Sequence, residues 1–149
     1  MFGAPEHLPD HADRCVAAAL EIAAVVEDAY GGRLRIGIGV NSGPVVAGTI
    51  GGGGRVEFTV IGDTVNTAAR IEALTRETDD TILITEATFS RLRRGHGGFA
   101  ERGTAPLRGR QEPVKAYAAL AGSYGLTRPA RMTGSRAAGS SKASSGWSR

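Results

Sequence analysis

The segment Phe58–Arg70, reading FTVIGDTVNTAAR, brings three polar side chains of complementary chemistry into thirteen residues. Arg55 to Ile61 alternates as a strand does, Gly62-Asp63 interrupts it, and Thr64 to Leu74 has helical composition. Thr59 is therefore expected on a strand, with Asn66 and Arg70 on the helix that follows. Residues four apart stand about 40° apart around a helix and one turn apart along it, so Asn66 and Arg70 are neighbours on one face. An amide and a guanidinium so placed suit a ribose and a phosphate, because arginine offers a planar fork of donors and keeps its charge at any relevant pH. The same spacing also fits an ordinary exposed helix. Asp63 is expected to cap this helix and complement its dipole.

The elements that must position these groups can be read from periodicity. Cys15, Ala19, Ile22, Val26 and Ala29 recur at helical spacing, with Asp10 available as a cap and Gly31-Gly32 as the stop. Leu34 to Asn41 alternates branched with small residues, the pattern of a strand whose glycines, Gly37 and Gly39, share one face and admit a close neighbour. Asn41-Ser42-Gly43-Pro44 is a turn, and Val45-Val46-Ala47 leads into Gly51–Gly54, read as a hairpin or arm. A phosphate loop would need a Gly-Lys-Ser/Thr ending, which this run lacks. Thr81 to Thr85 reads as a buried strand and Glu86 to Arg94 as a helix ending at Gly95. Phe99–Arg102 and Pro113–Leu120 read as two closing strands. This is an α/β (α+β) pattern.

Composition divides the chain in two. Residues 122 to 149 carry Arg128, Arg131, Arg136, Lys142 and Arg149 with no acid, so the net charge of +3 belongs to this Gly/Ser/Ala-rich stretch. It has too few large apolar residues to offset its ordering entropy and is expected to be a disordered tail. Trp147 has no aromatic neighbours for stacking, so no specific nucleic-acid partner is expected. No apolar run is long enough to span a membrane and no secretory leader opens the chain, pointing to a cytoplasmic protein. The single cysteine, Cys15, reads as a small buried side chain.

Phe58–Arg70 resembles, nearly letter for letter, a signature of class III adenylate and guanylate cyclase catalytic domains. Arg35–Gly43, Ala47–Gly51, Ile82–Thr85 and Pro106–Val114 are similar, in the same order, to further segments of that family. The resemblance implies a ferredoxin-like cyclase domain over residues 1 to 121, followed by the tail. It assigns the transition-state arginine to Arg70, the ribose-orienting asparagine to Asn66 and the base-reading position to Thr59. Threonine there accompanies adenine in the subclass this chain resembles, which favours ATP as substrate and cyclic AMP and pyrophosphate as products. A hydroxyl both donates and accepts, so Thr59 alone does not exclude guanine.

The resemblance also implies two divalent cations, Mg2+ or Mn2+, held by two aspartates on the family's first strands. The hairpin carrying the second shortly precedes a tetrapeptide like Phe2-Gly3-Ala4-Pro5, which opens this chain. The expectation is a partial domain lacking its first strands, both metal aspartates and the adenine-reading lysine; Lys115 and Lys142 lack the right neighbours for that last role. Asp79-Asp80 and His7, His11 and His96 form no evident substitute metal site, so no metal ligand is assigned. Cyclase sites form between two catalytic domains. This chain is accordingly expected to act as a homodimer or a heterodimer with another cyclase domain and to be inactive alone. The alternative is a non-catalytic dimerisation partner or modulator of an intact cyclase.

Overall fold

The computed structural model describes residues 1–52, 55–105 and 113–120. The expected tail, and the segment joining the last two strands, lie outside the described residues. Among the described residues the elements in order are α1 (His11–Tyr30), β1 (Ile38–Val40), β2 (Val46–Gly52), β3 (Arg55–Ile61), α2 (Asp63–Thr78), β4 (Ile82–Thr85), α3 (Glu86–Phe89), β5 (Phe99–Ala105) and β6 (Val114–Ala119). The main sheet has the order β1-β4-β6-β5, with β1 parallel to β4 and the other pairs antiparallel. The antiparallel hairpin β2–β3 stands apart from it.

The strand β4 explains why the sheet is covered on both faces. All four of its residues are buried, and because side chains alternate along a strand, Ile82 and Ile84 face one way and Leu83 the other. On the first face they meet Val40, Tyr117 and Leu92 beneath Ala12, Val16 and Ala19 of α1. On the second, Leu83 joins Ala116 and Ala118 beneath Ile71 of α2. The result is a helix–sheet–helix arrangement of mixed α+β class, with a continuous apolar run at its central strand.

Gly39 sets the fit between β1 and α2. A Cβ there would fall on the backbone of Ala68 and Glu72, with the Glu72 Cα at 2.8 Å. The close approach expected of the Gly37/Gly39 face is therefore observed, and its neighbour is the helix that carries Asn66 and Arg70.

Several local expectations are corrected. The first strand is regular only over Ile38–Val40 rather than Leu34–Asn41; among the described residues it pairs on one side alone, with β4, and earlier residues find no ladder. Helix α1 buries only its first turns, Ala12, Asp13, Val16 and Ala19. Ile22 and Val25 are 53% and 61% exposed, because the packed part of the helix lies over β1, β4 and β6 and the rest overhangs them. Asp10 is at the N-cap but makes no capping bond; its carboxylate pairs with Arg14 at 2.9 Å. Helix α2 is capped at Gly62, so Asp63 is its first residue and serves the dipole from within the first turn. The helix expected over Glu86–Arg94 stops at Phe89. Buried Asp13 accepts the amides of Arg93 (3.2 and 3.1 Å) and Arg94 (3.1 Å), which draws the chain away from a helical path.

Candidate active site

Strand β3 runs into α2 through one residue. Gly62 has φ 156° and ψ 162°, a region essentially confined to glycine, and this sharp junction brings the strand carrying Thr59 directly to the helix carrying Asn66 and Arg70. Thr59 lies opposite Gly48, and Ile61 opposite Val46, in the hairpin register. Cross-strand partners share a face, as do residues two apart along a strand. Val46, Gly48, Thr59 and Ile61 therefore form one side of the hairpin. Val46 is 73% and Ile61 59% exposed, so the half-buried Thr59 lies beside an uncovered apolar cross-strand pair.

On α2 the residues buried against the sheet are Thr67, Ile71 and Thr75. Asn66 and Arg70 each precede a member of this stripe by one residue, which turns them to its margin, where Asn66 is exposed and Arg70 half-buried. Among the described residues, Thr59, Asn66 and Arg70 engage no internal side-chain hydrogen bond or ion pair. The contrast with other arginines is informative: Arg14, Arg35, Arg76 and Arg102 each pair with a carboxylate. Arg70 has no such partner among the described residues, and neither does the Arg94 side chain. Asn66 and Arg70 are thus one turn apart on a helix whose preceding strand bears Thr59.

The described residues do not fit a divalent-cation site: no group of three or more His, Cys, Asp or Glu side chains comes together among them. The carboxylates expected in a polar loop are engaged by arginine instead. Asp79 pairs with Arg35, and Asp80 accepts both Nε and Nη2 of Arg102 at 2.8 Å. The bidentate guanidinium holds the Asp80 carboxyl below its ordinary value. The Nδ1–H of His11 donates to the Leu8 carbonyl and the Nε2–H of His96 to that of Phe89, each at 3.0 Å. Lys115 reaches Glu86 at 3.7 Å. Cys15 packs partly buried against the α1 core, and burial pushes its thiol up.

Sequence reasoning missed two polar groups that shape this region. The sequence pattern shows Asn41 as the end of a strand and the start of a turn and Thr85 as a strand end, yet their side chains join at 2.7 Å, and Asn41 also bonds the Thr64 carbonyl at the start of α2. Nothing in local periodicity reports such a pairing across 44 residues.

With this geometry in view, comparisons with known proteins are direct. The family model for the adenylate and guanylate cyclase catalytic domain matches residues 1–120. An uncharacterised protein of Mycobacterium tuberculosis is 36% identical over 132 residues, covering 88% of this chain and 24% of that protein. An adenylate cyclase of Anabaena cylindrica is 50% identical over 60 residues, 40% of this chain and 12% of that enzyme. Among solved structures, the catalytic core of a rhodopsin-guanylyl cyclase with converted specificity, in complex with ATPαS, is similar with a TM-score of 0.61 and 30% identity, covering 80% of this chain and 64% of that one. The chain belongs to the adenylate and guanylate cyclase catalytic-domain family. It spans about a quarter of the length of the mycobacterial relative. Among the described residues, no helix is long and apolar enough to cross a membrane.

Proposed function

We propose that this chain supplies one side of an adenylate cyclase site: Thr59 contacts the adenine, Asn66 orients the ribose and Arg70 stabilises the phosphoryl group during conversion of ATP to cyclic AMP and pyrophosphate. The observation that carries this reading is the β3–Gly62–α2 unit, which presents a hydroxyl, an amide and a guanidinium without internal polar partners. The ATPαS complex of the similar rhodopsin-guanylyl cyclase core with converted specificity supports a nucleoside triphosphate as ligand, and the hydroxyl at Thr59 is what favours adenine in this reading.

The reaction is an internal displacement. The ribose 3′ oxygen attacks the α-phosphorus of the same molecule, the bond to the pyrophosphate oxygen breaks so that pyrophosphate departs, and the hydroxyl proton passes to water. Holding the two reacting atoms of one molecule in the reactive fold removes a large entropic barrier, which is the contribution expected of Asn66. Arg70 offers fixed positive charge where negative charge grows on the non-bridging oxygens, an interaction stronger in the transition state than in the bound substrate. The cation carboxylates come, in this proposal, from residues outside this chain, on a second cyclase domain paired with it as a heterodimer. A homodimer of residues 1–149 would join two sides of the same kind and be inactive. A cytoplasmic location, where ATP is abundant, belongs to the same reading.

A second reading is favoured by the hairpin face itself. Val46 and Ile61, paired across the hairpin, are both uncovered, as expected of an apolar surface that meets another protein. A modulator that binds an intact cyclase without completing its site would use the same face.

One experiment separates the two. The chain is mixed with a cyclase domain that keeps its metal carboxylates but has lost its own asparagine–arginine pair, and cyclic AMP is measured. Complementation raises output from near zero, and Arg70→Ala in this chain lowers it by about a hundredfold or more, the scale of a lost charge-stabilising donor. Complementation unaffected by Arg70→Ala would refute the site assignment. Binding without any output would leave the modulator reading.

A further inference from the structure

Among the described residues the Asn66 and Arg70 side chains have no polar partners of their own, so what aims them must act on the helix that carries them. The structure contains such a device at the carboxyl ends of β1 and β4. The Asn41 Nδ2–H donates to the Thr64 carbonyl at 2.9 Å. A carbonyl can only accept, which fixes the orientation of the amide: its Oδ1 must face Thr85, whose Oγ1–H donates to it at 2.7 Å. A hydroxyl has a single proton, so the same Thr85 oxygen is left to accept, and it takes the Thr88 backbone N–H at 3.3 Å. The Thr88 hydroxyl in turn reaches Ser42 Oγ at 3.1 Å. Thr85 and Thr88 are fully buried. Thr64 is tied a second time, its hydroxyl donating to the Pro44 carbonyl at 2.7 Å, where the chain enters the hairpin.

The relay therefore runs one way, from the first turn of α3 through Thr85 and Asn41 to the first turn of α2, two residues before Asn66. We infer that Asn41 is a positioning residue: with Thr85 it fixes the register of the first turns of α2, and so the aim of Asn66 and Arg70. The later turns are held independently, since Ile71 and Thr75 are buried against the sheet, whereas over residues 63 to 70 Thr67 alone is buried and the relay supplies the remaining restraint. Losing the relay should loosen one end of the helix without releasing the other. The claim about helix register stands on the hydrogen bonds alone; its catalytic consequence rests on the cyclase reading above.

The test uses the full chain and three variants. Thr85→Val keeps the shape but removes both the donor to Asn41 and the acceptor for the Thr88 amide; Asn41→Asp keeps the acceptor and sets a carboxylate oxygen against the Thr64 carbonyl; Thr85→Ser keeps the hydroxyl. Amide hydrogen exchange is followed along α2. Thr85→Val and Asn41→Asp are expected to speed exchange about tenfold over residues 65 to 70 with little change over 71 to 78, and Thr85→Ser to match the parent protein. In the complementation assay the first two variants should lower kcat about tenfold while KM moves less than twofold, with Thr85→Ser restoring the rate. Exchange that rises equally along α2 and the sheet, or nowhere, overturns the inference. An exchange pattern as expected, from a parent protein that never complements, keeps the positioning role and removes the cyclase reading.

Discussion

Replacing Gly39 with alanine puts the packing between β1 and α2 to the sharpest test. The added Cβ would lie inside contact distance of the Ala68 carbonyl and the Glu72 amide, and 2.8 Å from the Glu72 Cα. All three are backbone atoms of a helix, so no side chain can swing aside; either α2 shifts or β1 does. Overpacking a core by one methyl group commonly costs about 1–3 kcal/mol, and a rigid backbone obstacle places this case at the upper end, about 2–3 kcal/mol. With a urea dependence of about 1–2 kcal/mol per molar for a domain of this size, the unfolding midpoint should fall by roughly 1–3 M. Gly97→Ala is the matched control, because a Cβ there meets nothing within 4 Å and its backbone is not in the left-handed region. Both proteins are unfolded in urea and followed by far-ultraviolet circular dichroism. Equal midpoints for the two variants would refute the claim that α2 rests on the bare backbone of β1.

Other expectations follow from single contacts. Asp13→Ala should destabilise the fold by about 2–4 kcal/mol, since a hydrogen bond to a charged group contributes about 1.5–3 kcal/mol and the Arg93 and Arg94 amides, which share this one acceptor and so do not add in full, both lose it; Asp13→Asn should fall between, read from thermal midpoints. The Asp80 carboxyl is held below its ordinary value of 3.8 by Arg102, so its contribution is complete above that value and is lost as pH falls through the depressed folded value. Asp80→Asn should therefore flatten the acid side of the stability profile, and an unchanged slope between pH 5 and pH 2 would contradict the pairing. Burial raises the Cys15 thiol, so alkylation by iodoacetamide at neutral pH should be slow in the folded chain and speed up on unfolding.

How much of this was legible beforehand depended on the range of each interaction. Periodicity located α1, the hairpin, the strand–Gly62–helix unit and β4 because helices and strands repeat within a few residues. The alternation of Gly37 and Gly39 even announced a close neighbour. The three proposed site residues lie in one short segment, so their placement on strand and helix followed from local pattern, while their roles came from the family resemblance.

What the chain of letters determined, then, was which faces are apolar and which segments are helical or extended. Folding decided who meets whom. The apolar stripe of α1 ran through Ile22 to Ala29, but only the part above β1, β4 and β6 found cover. The expected third helix ended early because Asp13, 80 residues away, takes the amide of Arg93. Asp79 and Asp80 became partners of Arg35 and Arg102, and Asn41 and Thr85 joined into a relay. Each of these is a pairing between distant residues, and its free energy depends on positions that exist only once the sheet is assembled, so no local pattern could have encoded it.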